Sequence, residues 1–181
     1  PSQIDRLYPY FFHGTAVTNV VIPDTVKTID HGVFWECRNL ESVHLPEALT
    51  FMDWSAFQKC SALKSVEFPA GFQAFGAYSY DELHAAFGYC MSLESAIFKG
   101  PVPQNFAYSW LDKLGCKIYS PKAYASQWAA VVPATSFGGY TEDLGGGTTD
   151  PIVEPEPGQS DKLVYYTTFD SSVAVTTPEV G

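Results

Sequence analysis

The sequence predicts a solenoid: an α/β repeat fold, rich in β-structure, in which short parallel strands stack along a right-handed coil. Three observations carry this. Val20-Val21-Ile22-Pro23 returns as Val43-His44-Leu45-Pro46 and again as Val66-Glu67-Phe68-Pro69, at one constant step. Phe34 and Phe57, Cys37 and Cys60, and Leu40 and Leu63 keep that step, which is twenty-three positions long. Phe87, Cys90 and Leu93 follow after a longer interval, so that copy holds a seven-residue insertion. A fixed period of 20–50 residues means units that cannot bury their own apolar face and do so by stacking.

The elements follow in order along the chain. Phe11-Phe12-His13-Gly14 with Val17 aligns with Phe34-Trp35-Glu36-Cys37 and Leu40, so half a copy precedes Val20. Within a full unit, Leu40-x-x-Val43-x-Leu45 alternates with period two and predicts a short strand with His44 facing out. Pro46 ends it, because proline has no N–H for a following ladder bond. The remaining apolar residues of the unit (Leu49, Met52, Phe57, Cys60) are too irregularly spaced for one helix, and Asp53 is placed to cap a single turn. Val20, Val43, Val66 and Ala96 are expected to form one internal row, and Phe34, Phe57 and Phe87 another.

In the insertion, Ser79-x-x-Glu82 has the form of a capping box, which predicts a helix from Ser79 to Gly88 with Leu83, Ala86 and Phe87 inward. Phe75, Tyr78 and Tyr80 just before it add aromatic groups that the regular repeat does not need. They read either as local packing or as a recognition surface. A degenerate copy opens at Ala96-Ile97-Phe98-Lys99, and Lys117-Ile118-Tyr119-Ser120 is the expected last strand. Residues 122–131 then suit a closing helix with Ser120 as N-cap, Pro121 at its first position, and Tyr124 and Trp128 on one face.

From Pro133 the composition changes. Gly138-Gly139, Gly145-Gly146-Gly147 and Pro151-Ile152-Val153-Glu154-Pro155-Glu156-Pro157 read as a linker. Residues 162–170 and 173–176 are β-rich runs around Asp170-Ser171-Ser172, a hairpin-like pattern. The expected organisation is thus a capped solenoid over 1–132, a Gly/Pro/acidic linker over 133–160, and a β-rich tail over 161–181. Two short strands are not stable alone, so the tail is expected to pair with an edge of this solenoid or of a neighbouring molecule.

The pattern Leu40-x-x-Val43-x-Leu45-Pro46, the turn with Gly32 and Phe34, and a cysteine three residues after each repeated phenylalanine resemble the BspA-like leucine-rich repeats of bacterial surface proteins. Phe98-Lys99-Gly100-Pro101-Val102-Pro103, Ile118-Tyr119-Ser120-Pro121 and Tyr124-x-x-x-Trp128 look like that family's terminal unit. The resemblance covers about residues 11–131. It implies an exported protein at the bacterial cell surface or outside the cell, and an adhesin-like module that binds a host or bacterial protein. It also implies that the tail introduces a further module. The sequence opens at Pro1 without a signal-like segment, so the chain reads as processed or truncated, its export signal lying outside it.

Composition narrows the partners. Ten basic against twenty acidic residues give a net charge of −10, which repels phosphate backbones and anionic lipid; nucleic acid is therefore not an expected partner. No run of 18 apolar residues is present, so no membrane insertion is expected.

No catalytic constellation is legible. Cys37, Cys60 and Cys90 share one repeat position and stack inside the core, where buried free thiols are expected ahead of a disulfide or metal ligation. Cys116 stands apart near the cap. His13, His31, His44 and His84 fall at different repeat positions and read as structural. The acids Glu142, Asp143, Asp150, Glu154 and Glu156 are too dispersed for a calcium loop. No cofactor, metal site or enzyme activity is expected. The candidate binding surface is the outer row Val21, His44, Glu67 and Ile97 together with Phe75, Tyr78 and Tyr80. Its partner would be a host extracellular-matrix protein or another bacterial surface protein. A structural spacer that self-associates through the tail and a carbohydrate-binding accessory are the other readings.

Overall fold

A computed structural model describes residues 4–76, 85–107 and 115–144, together with the backbone strand at 163–165. Strands β1 (Arg6–Leu7), β3 (Thr28–Ile29), β5 (Phe51–Met52) and β7 (Ala74–Phe75) form one parallel sheet in that order. An isolated bridge from Ala74 to Gln104 carries this sheet one layer further. On a second side lie β2 (Asn19–Val21), β4 (Ser42–His44), β6 (Ser65–Phe68), β8 (Ser95–Phe98), β9 (Lys117–Ser120) and β10 (Phe137–Tyr140). β2 pairs with β4, and β6, β8, β9 and β10 pair in sequence, all in parallel. A further strand, β11 (Leu163–Tyr165), lies on the outer edge of β2.

The third side consists of stacked turns that also form a ladder. Phe12 N–H donates to Val33 O, Phe34 N–H to Ala56 O and Phe57 N–H to Ala86 O, at 2.7–2.8 Å. Left-handed backbone recurs at two places in the turns. Tyr10, Gly32 and Ser55 occupy the first, and Gly14, Glu36, Lys59 and Tyr89 the second, with φ between 54° and 68°. At Gly32 the Tyr10 ring decides the residue, since a Cβ there would stand 2.6 Å from it.

Alternation along the strands buries one face. Val20, Val66, Ala96 and Ile118 are buried in register, and Val43 is half-buried between them. The aromatic column is a stack of near-parallel rings: Phe12 on Phe34 at 5.0 Å, Phe34 on Phe57 at 4.8 Å and Phe57 on Phe87 at 5.4 Å. Phe68 on Phe98 at 4.5 Å forms a second stack.

The first turn corrects the alignment by one residue. Phe12, 7% exposed, takes the place expected for Phe11, which is 48% exposed. The physical reason is the register of β1, where Arg6 faces Thr28, so the first unit is one residue shorter than the next at this point. Thr15 thereby stands where the next units carry cysteine.

Other expectations also change. Asp53 caps no helix: the segment after it is a run of turns, and its carboxylate accepts the Trp54 N–H at 2.8 Å. Ser120 does not cap the closing helix, because its side chain points into the core from β9, and Pro121 follows in extended conformation. The closing helix is short, a 3-10 turn at Lys122–Tyr124 leading into α1 (Ala125–Ala129). Its Trp128 is buried against Phe98 and Phe106 at 4.7 and 5.2 Å, with Tyr124 packed partly against the core, as the helical spacing predicts. The Trp128 indole N–H donates to Gly100 O at 3.2 Å.

The residues after Pro133 are not linker at once. β10 adds a strand beyond β9, and a 3-10 turn at Thr141–Asp143 follows. Glu142 accepts the Lys122 backbone N–H, and Lys122 Nζ pairs with Asp143 at 2.7 Å, so this segment is tied down over the cap. The Ser79–Glu82 capping box lies outside the described residues. Residues 85–88, its expected end, are bend and turn, with Ala86 and Phe87 buried.

Candidate functional site

The outer row of the strand sheet assembles in register. Val21 lies beside His44, and Glu67 beside Ile97, all half-buried. Tyr119 on β9 continues the row next to Ile97; the alternation of Lys117–Ser120, followed one strand further than Ile97, points to it. Below the row runs a polar ladder in which Ser42 Oγ donates to Asn19 Oδ1 at 2.7 Å. Glu67 is engaged by Lys99 Nζ at 2.6 Å, and Lys99 also reaches Glu47 at 3.2 Å. These carboxylates, Glu67 first, hold the Lys99 ammonium above its ordinary range.

Phe75 departs from this surface. It is 4% exposed and packs on Phe68, Phe72 and Phe106. The reason is register: Phe75 pairs with Met52, which pairs with Ile29, and that whole row points inward. Tyr78 and Tyr80 lie outside the described residues.

The turn side presents a second surface. Tyr8, Tyr10 and Phe11 are 65%, 44% and 48% exposed. The Tyr10 ring lies over Gly32 and meets His31 edge-on at 5.0 Å, Trp35 at 6.0 Å and His13 at 6.1 Å. His13 sits 5.0 Å from Trp35, and His31 stacks on Trp54 at 4.7 Å. Charge frames the rings. Lys59 Nζ lies 2.6 Å from Glu36 and 5.7 Å from the Trp35 ring, Arg38 reaches Glu36 at 3.6 Å, and Asp53 stands 3.9 Å from His31 Nδ1. The hydrogen bond from Lys59 holds the Glu36 carboxyl below its usual range.

The repeat explains why these groups meet. His31 and Trp54 stand one full period apart, and His13 and Trp35 one shortened first period apart, so each pair shares one repeat position in successive layers. Comparing histidines only with histidines conceals this; comparing each position with all aromatic residues reveals it.

The thiols are neither exposed nor paired. Cys37, Cys60 and Cys90 are free and buried, and each donates to the carbonyl of the preceding phenylalanine: Phe12, Phe34 and Phe57, at 3.0–3.1 Å. Cys116 is buried as well. Among the described residues no group of three or more His, Cys, Asp or Glu is placed to hold a metal ion. No helix there is long and apolar enough to cross a membrane.

Against this geometry, the family model of the BspA type leucine rich repeat region matches residues 5–108 in six copies. The chain belongs to the BspA-type leucine-rich repeat family. The family's repeats serve generally as protein-interaction scaffolds and are generally non-catalytic. No curated protein sequence matches the chain. Among solved structures, a leucine-rich repeat protein from Bacteroides capillosus ATCC 29799 is 26% identical with a TM-score of 0.45, over 54% of this chain and 64% of that one. The T. pallidum leucine rich repeat protein is 25% identical with a TM-score of 0.45, over 68% and 51%. A leucine rich cell surface protein from Faecalibacterium prausnitzii A2-165 is 24% identical with a TM-score of 0.57, over 72% and 33%. The chain thus spans less than two thirds of each of these relatives, and the last of them supports the leucine-rich repeat solenoid as the fold.

Proposed function

We propose that this leucine-rich repeat chain is a non-catalytic adhesion module at a bacterial cell surface, binding another protein through its turn-side aromatic patch. The observation that carries the reading is the patch itself: the exposed Tyr10 ring packed beside His13, His31 and Trp35, with His31 stacked on Trp54 and the exposed Phe11 next to Tyr10 in the chain. Tyrosine and tryptophan dominate the energetics of protein interfaces because they bury large area at little conformational cost. Here their orientation is already set by packing against Gly32 and against each other, so binding would order little. The outer row Val21, His44, Glu67 and Ile97 is the second contact surface in this reading. The surface location draws on membership of the BspA-type family.

The test is retention of purified extracellular-matrix proteins and bacterial surface proteins on the immobilised chain. Tyr10→Ala and Phe11→Ala together are expected to weaken a retained partner at least about tenfold, as loss of an interface anchor does. Retention untouched by these substitutions but abolished by His44→Ala with Glu67→Ala would move the function to the sheet. No retained protein at all would sink the reading. Partly exposed rings beside Glu36 and Lys59 also suit stacking against a sugar, and a glycan array separates that second reading from the first.

A further inference from the structure

The outer edge of β2 is filled by the other end of the chain. β11 lies parallel to β2 in the register Leu163 with Asn19, Val164 with Val20 and Tyr165 with Val21, the same register in which β4 lies on β2's other side. An uncovered edge strand presents unpaired N–H and C=O groups and accepts extended chain from any source.

The reach is consistent with the chain's own segment as occupant. From β11 to β10 there are six strand spacings, about 29 Å at about 4.8 Å each. The stretch of about 18 residues between Leu144 and Leu163 can reach at most about 60 Å, which covers that span. A tether of this length that can span the distance gives the segment an effective concentration on the order of millimolar. A strand of three residues makes few ladder bonds, so the tether and not intrinsic affinity keeps it in place.

We propose that the outer edge of β2 is a strand-acceptor site for extended peptide, held shut by this chain's own Leu163–Tyr165. The ligand class is a parallel-pairing strand, recognised through backbone groups, and the site is independent of the aromatic patch. At micromolar protein the tethered segment outcompetes a second copy, so the intact chain is expected to stay unexchanged.

The experiment uses the full chain with Val164→Pro, which removes the central N–H of β11 and disfavours its pairing. Tyr165→Pro serves as a second variant. Hydrogen exchange over residues 17–23 is expected to quicken in both. A fluorescent peptide of residues 161–170 is expected to bind the variants at least tenfold more tightly than the unaltered chain, and a scrambled peptide not at all. Unchanged exchange over residues 17–23 would overturn the proposal, as would equal peptide binding to variant and unaltered chain. Faster exchange with no peptide binding would overturn the acceptor site as well.

Discussion

The thiol column shows how a single position is chosen. Each cysteine in it is held between a stacked phenylalanine and a carbonyl of the layer before, and Thr15, in the first turn, places a hydroxyl at the same position that donates to Phe12 O of its own turn at 2.9 Å. A group that is small and can donate one hydrogen bond is therefore what the site needs. Cys60→Ser is expected to keep the bond to Phe34 O and cost about 1 kcal/mol, whereas Cys60→Ala loses it and leaves a void, costing about 1–3 kcal/mol. Urea denaturation ranks the two, and equal costs would refute the role of the bond. Burial also pushes the Cys116 thiol up to about 12 and raises Cys37, while the neighbouring Cys90 and burial together raise Cys60. In the unfolded chain such thiols ionise near 9. The folded protein then holds protons that the unfolded chain releases, so stability is kept below that value and falls as pH rises above it. A urea midpoint equal at pH 8 and pH 10 would contradict this.

At the scale of elements, the strands were legible because period-two alternation and the terminal proline act locally; Ser65–Phe68 and Ser95–Phe98 fall where the repeat places them. The cap was legible only in part. Tyr124 and Trp128 at helical spacing located α1, but Ser120 failed as its cap because the strand β9 had already committed that side chain to the core. β10 was invisible in Phe137-Gly138-Gly139-Tyr140, whose glycines read as linker. Gly138 is there because a Cβ would meet the Tyr119 ring at 2.5 Å, a contact set by the neighbouring strand. Trp128 closes the last layer, so Trp128→Ala is expected to cost about 3–5 kcal/mol and to be felt first nearby. Hydrogen exchange should quicken over β8 and β9 before β2 and β4; a uniform increase along the coil would refute nearest-neighbour coupling.

For the whole molecule, the repeat period by itself determined the solenoid, the inner valine row, the phenylalanine stack and the burial of the cysteines. All follow from one unit copied at fixed spacing, which forces like residues into one column. Tertiary structure decided what the period leaves open. The one-residue shortening of the first unit puts Phe12 inside and Phe11 outside, because the register of β1 on β3 and not the sequence likeness sets the turn. The same inward register takes Phe75 from the expected surface into the core. Tyr10, His13, His31, Trp35 and Trp54 become one patch only when layers stack, because His31 with Trp54 and His13 with Trp35 share repeat positions in successive layers and the turn sets these columns beside Tyr10. The β-rich tail announces a strand that has to pair, but only the stacked fold makes the outer edge of β2 its place. Periodic positions are dictated by what each unit must bury; the surface that distinguishes this solenoid arises where units differ and where the stack ends.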